Sequence, residues 1–174
     1  MEKNNINHII KILVDKIIHG GKIFLCGNGG SAADAQHLAA EFLVRLKPKN
    51  NRPAIPAISL GLDTSTLTAC SNDYDFKKIF SRSLSALGNS KDILIVISTS
   101  GMSKNIVEVL KYAKNNSIYS IGFLGSKGGV ASKLCSSKVI IKSNDVARIQ
   151  ECHIFLGHYI FKEIEKKLIK YKFK

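Results

Sequence analysis

Four separated polar segments of the sequence carry the residue types that could do chemistry. They are Cys26–Ser31, His37–Glu41, Ser98–Ser103 and Arg148–His158. The first and third are rich in glycine and hydroxyl side chains, so they offer N–H and O–H donors to an anionic ligand. The second and fourth supply a carboxylate, imidazoles and an amide, which suit a metal ion or an acid–base pair. The sequence therefore predicts a phosphate-binding region together with an acid–base or metal site.

A turn crowded with hydroxyl groups follows the most apolar stretch of the chain and precedes a helical pattern. Its hydroxyl residues are Ser98, Thr99, Ser100 and Ser103. Helix N-termini present unpaired N–H groups and a partial positive charge, and Gly101 permits a tight backbone, so this turn suits a phosphate. The alternative is an ordinary capped turn with Ser103 as the N-cap.

The glycine-rich turn Asn28-Gly29-Gly30-Ser31 also lies between a strand and a helix, and the same two interpretations apply to it. No lysine follows the glycines, so the spacing fits neither a P-loop nor a dinucleotide-binding turn. We expect Ser31 to be the N-cap of the helix that follows.

The candidate acid–base residues fall on two predicted helices. His37 and Glu41 are four residues apart and share one face, and Gln150 and His158 are eight apart on roughly one side of the last helix. A His-x-x-x-Glu pair can supply two metal ligands, but a surface ion pair is the alternative, and glutamine is an uncommon ligand. His153 faces away from His158 and is better explained as a packing residue.

Short apolar runs alternate with helical spacing along the whole chain. The predicted strands cover residues 22–26, 57–60, 92–97, 117–124 and 138–142, and the predicted helices cover 4–19, 32–44, 63–70, 76–87, 103–115 and 145–168. This alternation predicts an α/β fold: a three-layer sandwich with a five-stranded parallel sheet flanked by helices, in one flavodoxin-like domain over residues 1–174. Ligands of such folds bind beyond the carboxyl ends of the strands, where both turns lie.

Composition narrows the class of protein further. The chain has 174 residues, of which 45% are hydrophobic and 22% charged, as expected for one globular domain. No apolar run is long enough to span a membrane, and the N-terminus has no signal-peptide pattern. The four cysteines have no paired spacing, which favours reduced thiols and a cytoplasmic protein.

The formal charge of +13 raises the question of nucleic-acid binding. Only four of the 26 basic residues are arginines, and the lysines are scattered, so compositional drift explains the charge better than a nucleic-acid interface. A basic surface would still attract an anionic sugar phosphate.

Taken together, the motifs resemble those of phosphoheptose isomerases (sedoheptulose 7-phosphate isomerases), which belong to the sugar isomerase (SIS) domain superfamily. The likeness runs from about Gly21 to Lys167. It is carried by CGNGGSAADAQHLAAE, NRPAIPAISL, SNDYDFKKIFSR, ISTSGMS and ARIQECHIFLGH, in that order. The resemblance implies an enzyme that interconverts sedoheptulose 7-phosphate and D-glycero-D-manno-heptose 7-phosphate through a cis-enediol and supplies heptose for bacterial surface polysaccharide.

The resemblance also implies a role for each matched residue. The phosphate would be held by Ser98, Thr99, Ser100 and Ser103, and the site would be lined by Asn28, Gly29, Gly30, Ser31 and Gln150. Asn72 and Asp73 would touch the sugar. One zinc ion per subunit would be bound by His37, Glu41, Gln150 and His158, among which Glu41 and His158 would be the catalytic pair. The family's members are homotetramers with active sites between subunits.

The alternative within the same superfamily is a non-catalytic protein that binds a sugar phosphate or the replication initiator DnaA. Proteins of that kind lack the counterparts of Glu41 and His158, so their presence here favours the enzyme. Three features depart from the family's pattern. The sequence starts near the family's second helix, without the additional N-terminal helix of roughly twenty residues that the family usually carries. Met102 stands where asparagine is usual, and Asp75 stands where glycine is usual.

Overall fold

A computed structural model of the chain describes residues 2–61 and 63–171, and these residues form one sheet with helices on both faces. The five strands are β1 (Ile23–Gly27), β2 (Ala57–Ser59), β3 (Ile93–Ser98), β4 (Tyr119–Gly125) and β5 (Ser137–Ile141). The α-helices in the described residues are α1 (Glu2–Ile18), α2 (Gly30–Leu43), α3 (Thr64–Asp73), α4 (Ile79–Leu87), α5 (Lys104–Asn115), α6 (Ala131–Leu134) and α7 (Val146–Lys170).

The central strand β3 shows why the sheet is covered on both faces. All six of its residues are buried. Consecutive side chains point to opposite sides of the sheet, so both faces must be covered. Ile93, Ile95 and Ile97 pack with α1, α2 and α7 in one hydrophobic cluster. Leu94 and Val96 pack with α4, α5 and α6 in another. The predicted three-layer α/β sandwich is therefore confirmed.

The order of the strands fixes where a ligand crevice can form. The strands are all parallel and follow the order β2-β1-β3-β4-β5, which is the flavodoxin-like order. The chain leaves β1 toward one edge of the sheet and leaves β3 toward the other, so the loops after these neighbouring strands diverge. That switch point is where open α/β sheets bind ligands, and both predicted anion-binding turns emerge there.

Local details differ from the predictions in three places. Gly29, not Ser31, is the N-cap of α2, and Ser31 is buried inside the first turn, so the predicted Ser31 cap is wrong. The segment predicted as one helix over residues 76–87 begins as a 3₁₀ turn (Phe76–Lys78) and becomes α4 only at Ile79. The short helix α6 has no amphipathic period long enough to be detected from sequence.

No helix in the described parts of the chain combines the length and the apolar character needed to cross a membrane.

Candidate active site

The packing of α2 against α7 brings the predicted acid–base residues together. The two helices run in the same direction, because Gly30 meets Gln150, Leu38 meets Gly157 and Phe42 stacks on Phe161. A Cβ atom at residue 157 would lie 2.6 Å from the Leu38 side chain, so a larger residue there would force Leu38 to shift. The close contact brings His37, which precedes Leu38, within reach of His158, which follows Gly157.

His37, Glu41 and His158 form one cluster at this contact. The Nε2 atoms of His37 and His158 lie 2.8 Å apart, and Oε1 of Glu41 lies 3.4 Å from Nε2 of His37. The two imidazole rings meet edge to face, with centroids 5.0 Å apart. The site is reachable from solvent, since His37 is exposed and the other two are half-buried.

The donor set of this cluster fits a divalent metal ion. One ligand atom from each of the three residues lies within 4.8 Å of the others. Two imidazole nitrogens and a carboxylate oxygen are ligands that zinc accepts, and three protein ligands leave a further position open for substrate. The fourth predicted ligand, Gln150, lies two helical turns before His158 and packs its amide against Gly30.

Asp34 is a member of this neighbourhood that sequence reasoning missed. Its Oδ2 atom is buried and has no hydrogen-bond partner. Burial raises the pKa of the Asp34 carboxyl, and the nearby imidazoles of His37 and His158 oppose that rise. The signal available in the sequence was its spacing, because Asp34 lies three residues before His37 on the same helical face.

Arg52 fixes the end of α2 that carries Glu41. Its Nη2 donates to the Glu41 carbonyl at 2.9 Å, and its Nη1 donates to the Phe42 carbonyl at 2.9 Å. The last carbonyl groups of a helix have no partner within the helix, so Arg52 satisfies two of them. Its Nε donates to Oε1 of Glu165 on α7 at 2.8 Å, and both side chains are almost fully buried. This buried pair joins the two helices that hold the cluster.

The hydroxyl-rich turn after β3 combines a buried hydroxyl that shapes the backbone with hydroxyls nearer the surface. Ser98 is buried, and its Oγ accepts from the Gly101 N–H at 3.0 Å, so this hydroxyl shapes the turn. Gly101 has φ of 65° and packs directly against Gly128, which excludes a side chain. Ser103 occupies the N-cap of α5, yet its hydroxyl makes no capping bond. That hydroxyl is free to donate to a ligand.

The remaining predicted site residues fall in two places. Asn28 and Gly29 form the loop after β1 and Gly30 begins α2, beside the hydroxyl-rich turn. Asn72 and Asp73 end α3 and are exposed, and the described hydrogen bonds of their side chains join them only to each other.

Comparison with known proteins identifies the family. The sequence matches the SIS domain over residues 1–125. It is 48% identical over 164 residues to phosphoheptose isomerase 1 of Campylobacter jejuni, a match that covers 94% of this chain and 87% of that protein. The chain belongs to the phosphoheptose isomerase family.

Two further comparisons agree with this assignment. The phosphoheptose isomerase of Clostridium acetobutylicum is 47% identical over 163 residues, covering 94% of this chain and 82% of that protein. The solved structure of a phosphoheptose isomerase from Francisella tularensis superposes with a TM-score of 0.89 at 35% identity, covering 94% of this chain and 86% of the other.

Two residues that depart from the phosphoheptose isomerase pattern, Met102 and Asp75, make local hydrogen bonds. Met102 is exposed, and its sulfur accepts from the Val130 N–H at 3.4 Å. Asp75 is the N-cap of the 3₁₀ turn, and its carboxylate accepts from the Lys77 N–H at 2.7 Å. This bond lowers the pKa of Asp75. Its φ of −176° is extended backbone, so the position does not need glycine.

His153 lies on the buried face of α7 and is not part of the cluster of His37, Glu41 and His158. It is fully buried, and neither ring nitrogen has a hydrogen-bond partner. Burial lowers the pKa of His153, and the nearby Leu124 carbonyl opposes this only in part. The interpretation as a packing residue agrees with this placement.

Replacing His153 by leucine should weaken the acid sensitivity of folding. The folded state keeps His153 neutral, so below about pH 6.5 the unfolded state binds more protons and the free energy of unfolding falls as pH drops. One such group contributes a slope of at most about 1.4 kcal/mol per pH unit. Urea unfolding between pH 7 and 5 should show a shallower loss in His153→Leu than in wild type. The matched control is exposed His8→Leu, and parallel profiles for wild type and His153→Leu would contradict the prediction.

Proposed function

We propose that this protein is an aldose–ketose isomerase that interconverts sedoheptulose 7-phosphate and D-glycero-D-manno-heptose 7-phosphate. The observation that carries the proposal is the cluster of Glu41, His37 and His158 in a chain of this family. Isomerisation moves a proton between C1 and C2 through a cis-enediol, which requires one group for the carbon-bound proton and one for the proton on oxygen. A carboxylate and an imidazole in one solvent-accessible cluster meet that requirement.

The proposed roles follow from the chemistry of each group. Glu41 and His158 divide the two proton transfers: one accepts the proton from carbon and returns it to the adjacent carbon, and the other moves the proton between O1 and O2. The network around Arg52 keeps Glu41 at its place on α2 while this happens. The half-buried position of His158 strengthens a hydrogen bond that its imidazole donates to an oxygen of the enediolate.

We further propose that the cluster holds one zinc ion per chain through His37, Glu41 and His158, with Gln150 as a fourth ligand. When bound, zinc would polarise the substrate carbonyl and stabilise negative charge on oxygen. The donor types of His37, Glu41 and His158 support zinc. The Gln150 amide lies beside Gly30, seven residues before His37 on α2, so its assignment as a ligand rests on the family's motif alone.

The acid–base cluster lies along α2 from the glycine-rich loop. His37 lies seven residues after Gly30, which is about 10 Å along the axis of α2. We infer that Thr99, Ser100 and Ser103, on a turn braced by Ser98, hold the phosphate, that Asn28, Gly29, Gly30 and Ser31 line the middle, and that Asn72 and Asp73 contact the sugar.

Ser100→Ala should mainly weaken substrate binding. A hydrogen bond to a charged group contributes about 1.5–3 kcal/mol, so losing one should raise KM for sedoheptulose 7-phosphate roughly 10- to 100-fold with little change in kcat. Steady-state kinetics measure this directly. Ser85→Ala on α4 is the matched control, since its hydroxyl bonds only to the Arg82 carbonyl. An unchanged KM would assign the phosphate to another part of the protein.

The setting of this activity is also a proposal. We propose one SIS domain over residues 1–174, a cytoplasmic location and a homotetramer with sites between subunits, supplying heptose for bacterial surface polysaccharide. Exposed apolar side chains support association. Phe155 and Tyr159 share one face of α7 and are 73% and 40% exposed, and Val44 at the end of α2 is 69% exposed.

The activity assay also tests the alternative. Purified protein should convert sedoheptulose 7-phosphate but not sedoheptulose, because the phosphate supplies much of the binding free energy. Absence of conversion in folded, zinc-supplemented protein would favour a non-catalytic role in binding a sugar phosphate or DnaA. The relatives do not favour that role, and the chain retains both Glu41 and His158.

A further inference from the structure

A reciprocal pair of side-chain amides joins the loop after β1 to the first turn of α5. Nδ2 of Asn28 donates to Oδ1 of Asn105 at 2.9 Å, and Nδ2 of Asn105 donates to Oδ1 of Asn28 at 2.8 Å. The pair spans the crevice between the two loops, at the switch point of the sheet. Asn28 is half-buried beside the crevice, whereas Asn105 is 2% exposed and has no room to touch a ligand.

The backbone of α5 decides which way both amides point. The Ile106 N–H donates to Oδ1 of Asn105 at 3.0 Å, and this backbone group can only donate. The Asn105 oxygen must therefore face Ile106, which directs its Nδ2 to the Asn28 oxygen. Asn28 is then fixed in turn, with its nitrogen toward Asn105 Oδ1.

Asn28 keeps half of its hydrogen-bonding capacity after this pairing. One Nδ2 proton and one Oδ1 lone pair are used by Asn105, so one of each stays available. Without Asn105 the Asn28 amide could rotate or flip at the mouth of the crevice. A substrate would then have to order it on binding, at a cost in affinity.

We propose that Asn105 is a positioning residue: it holds the Asn28 amide in one orientation so that Asn28 can recognise a hydroxyl or phosphate oxygen of the substrate. The proposal rests on the proposed function through the role of Asn28. Asn105 acts through Asn28, because its side chain is 2% exposed and both Oδ1 lone pairs are used within the protein. Nothing in the motif spacing indicated this residue, which lies two positions beyond the hydroxyl-rich turn.

A double-mutant cycle tests this dependence. Asn28→Ala and Asn105→Ala should each lower kcat/KM for sedoheptulose 7-phosphate by roughly 10-fold. The kcat/KM of the double variant should stay within about twofold of that of Asn28→Ala, because the second change removes support for a side chain that is already absent. Asn115→Ala, an exposed asparagine at the other end of α5, is the control. Losses that multiply in the double variant would overturn the proposal.

A wild-type protein without turnover would contradict the proposed function but would not test the role of Asn105. A spectroscopic measurement tests that role independently of turnover. The side-chain amide signals of Asn28 in a ¹H–¹⁵N correlation spectrum can be assigned by their loss in Asn28→Ala. In folded Asn105→Ala they should move toward the shifts of exposed asparagines and exchange faster with water. Unmoved signals would overturn the proposal, and a melting temperature for each variant separates this effect from general loss of structure.

Discussion

Glu41→Gln should lower kcat for sedoheptulose 7-phosphate by about 10²–10⁴-fold while the protein stays folded. Glutamine keeps the size of the side chain and one oxygen, but it cannot accept or return a proton. Glu41 is also the only carboxylate among the clustered ligands, which are His37, Glu41 and His158. The loss should therefore appear in kcat, since the phosphate turn and the Asn28 loop are unchanged.

The control for this variant is Glu108→Gln, the same chemical change on α5 at the opposite face of the sheet. His158→Ala should cause a loss of similar size, because it removes the second proton-transfer group. Circular dichroism and thermal unfolding establish that each variant is folded. Near-normal kcat in folded Glu41→Gln would mean that the cluster is a surface ion pair with no part in the reaction.

Removing bound metal should lower activity to below about a hundredth of its loaded value, and zinc should restore it. Lewis-acid stabilisation of the developing charge contributes several kcal/mol. Chelation followed by stepwise zinc addition measures this, with magnesium as the control ion because it prefers oxygen ligands. Calorimetric zinc binding gives a second reading, and His37→Ala should weaken it.

Two outcomes would separate metal chemistry from the cluster's acid–base chemistry. Activity that survives chelation in protein shown to contain no zinc would contradict the metal assignment and leave Glu41 and His158 as a metal-free pair. Zinc binding that is unchanged in His37→Ala would place the metal elsewhere on the chain.

The sheet and the helices were readable from sequence because their signals are local. Five consecutive apolar residues, Ile93–Ile97, are typical of a strand buried on both faces, and the structure divides them between two hydrophobic clusters. The His-x-x-x-Glu spacing likewise places two ligands on one face of α2 whatever lies opposite. Alternation with helices also predicts a parallel sheet, but the order of its strands depends on contacts between distant segments.

The packing of the helices and the pairing of distant side chains could not be predicted from the residue patterns, because they depend on contacts between distant segments. The relative position of α2 and α7 is set by Gly157 against Leu38, and no periodicity reports such a contact. The Arg52–Glu165 pair joins residues 113 positions apart, and the Asn28–Asn105 pair joins residues 77 apart. The predicted Ser31 cap failed because Gly29 starts the helix two residues earlier, leaving Ser31 buried in its first turn.

The central claim is proton transfer between C1 and C2 of a heptose 7-phosphate, and isomerisation in D₂O tests it most directly. Wild-type protein with zinc and sedoheptulose 7-phosphate should give the aldose, with solvent deuterium at C2 wherever the abstracted proton exchanges before its return. Proton NMR follows both signals, with Glu41→Gln as the inactive control. Product formation that depends on Glu41 is the predicted result. Neither product nor deuterium uptake in folded, zinc-loaded wild type would contradict the account.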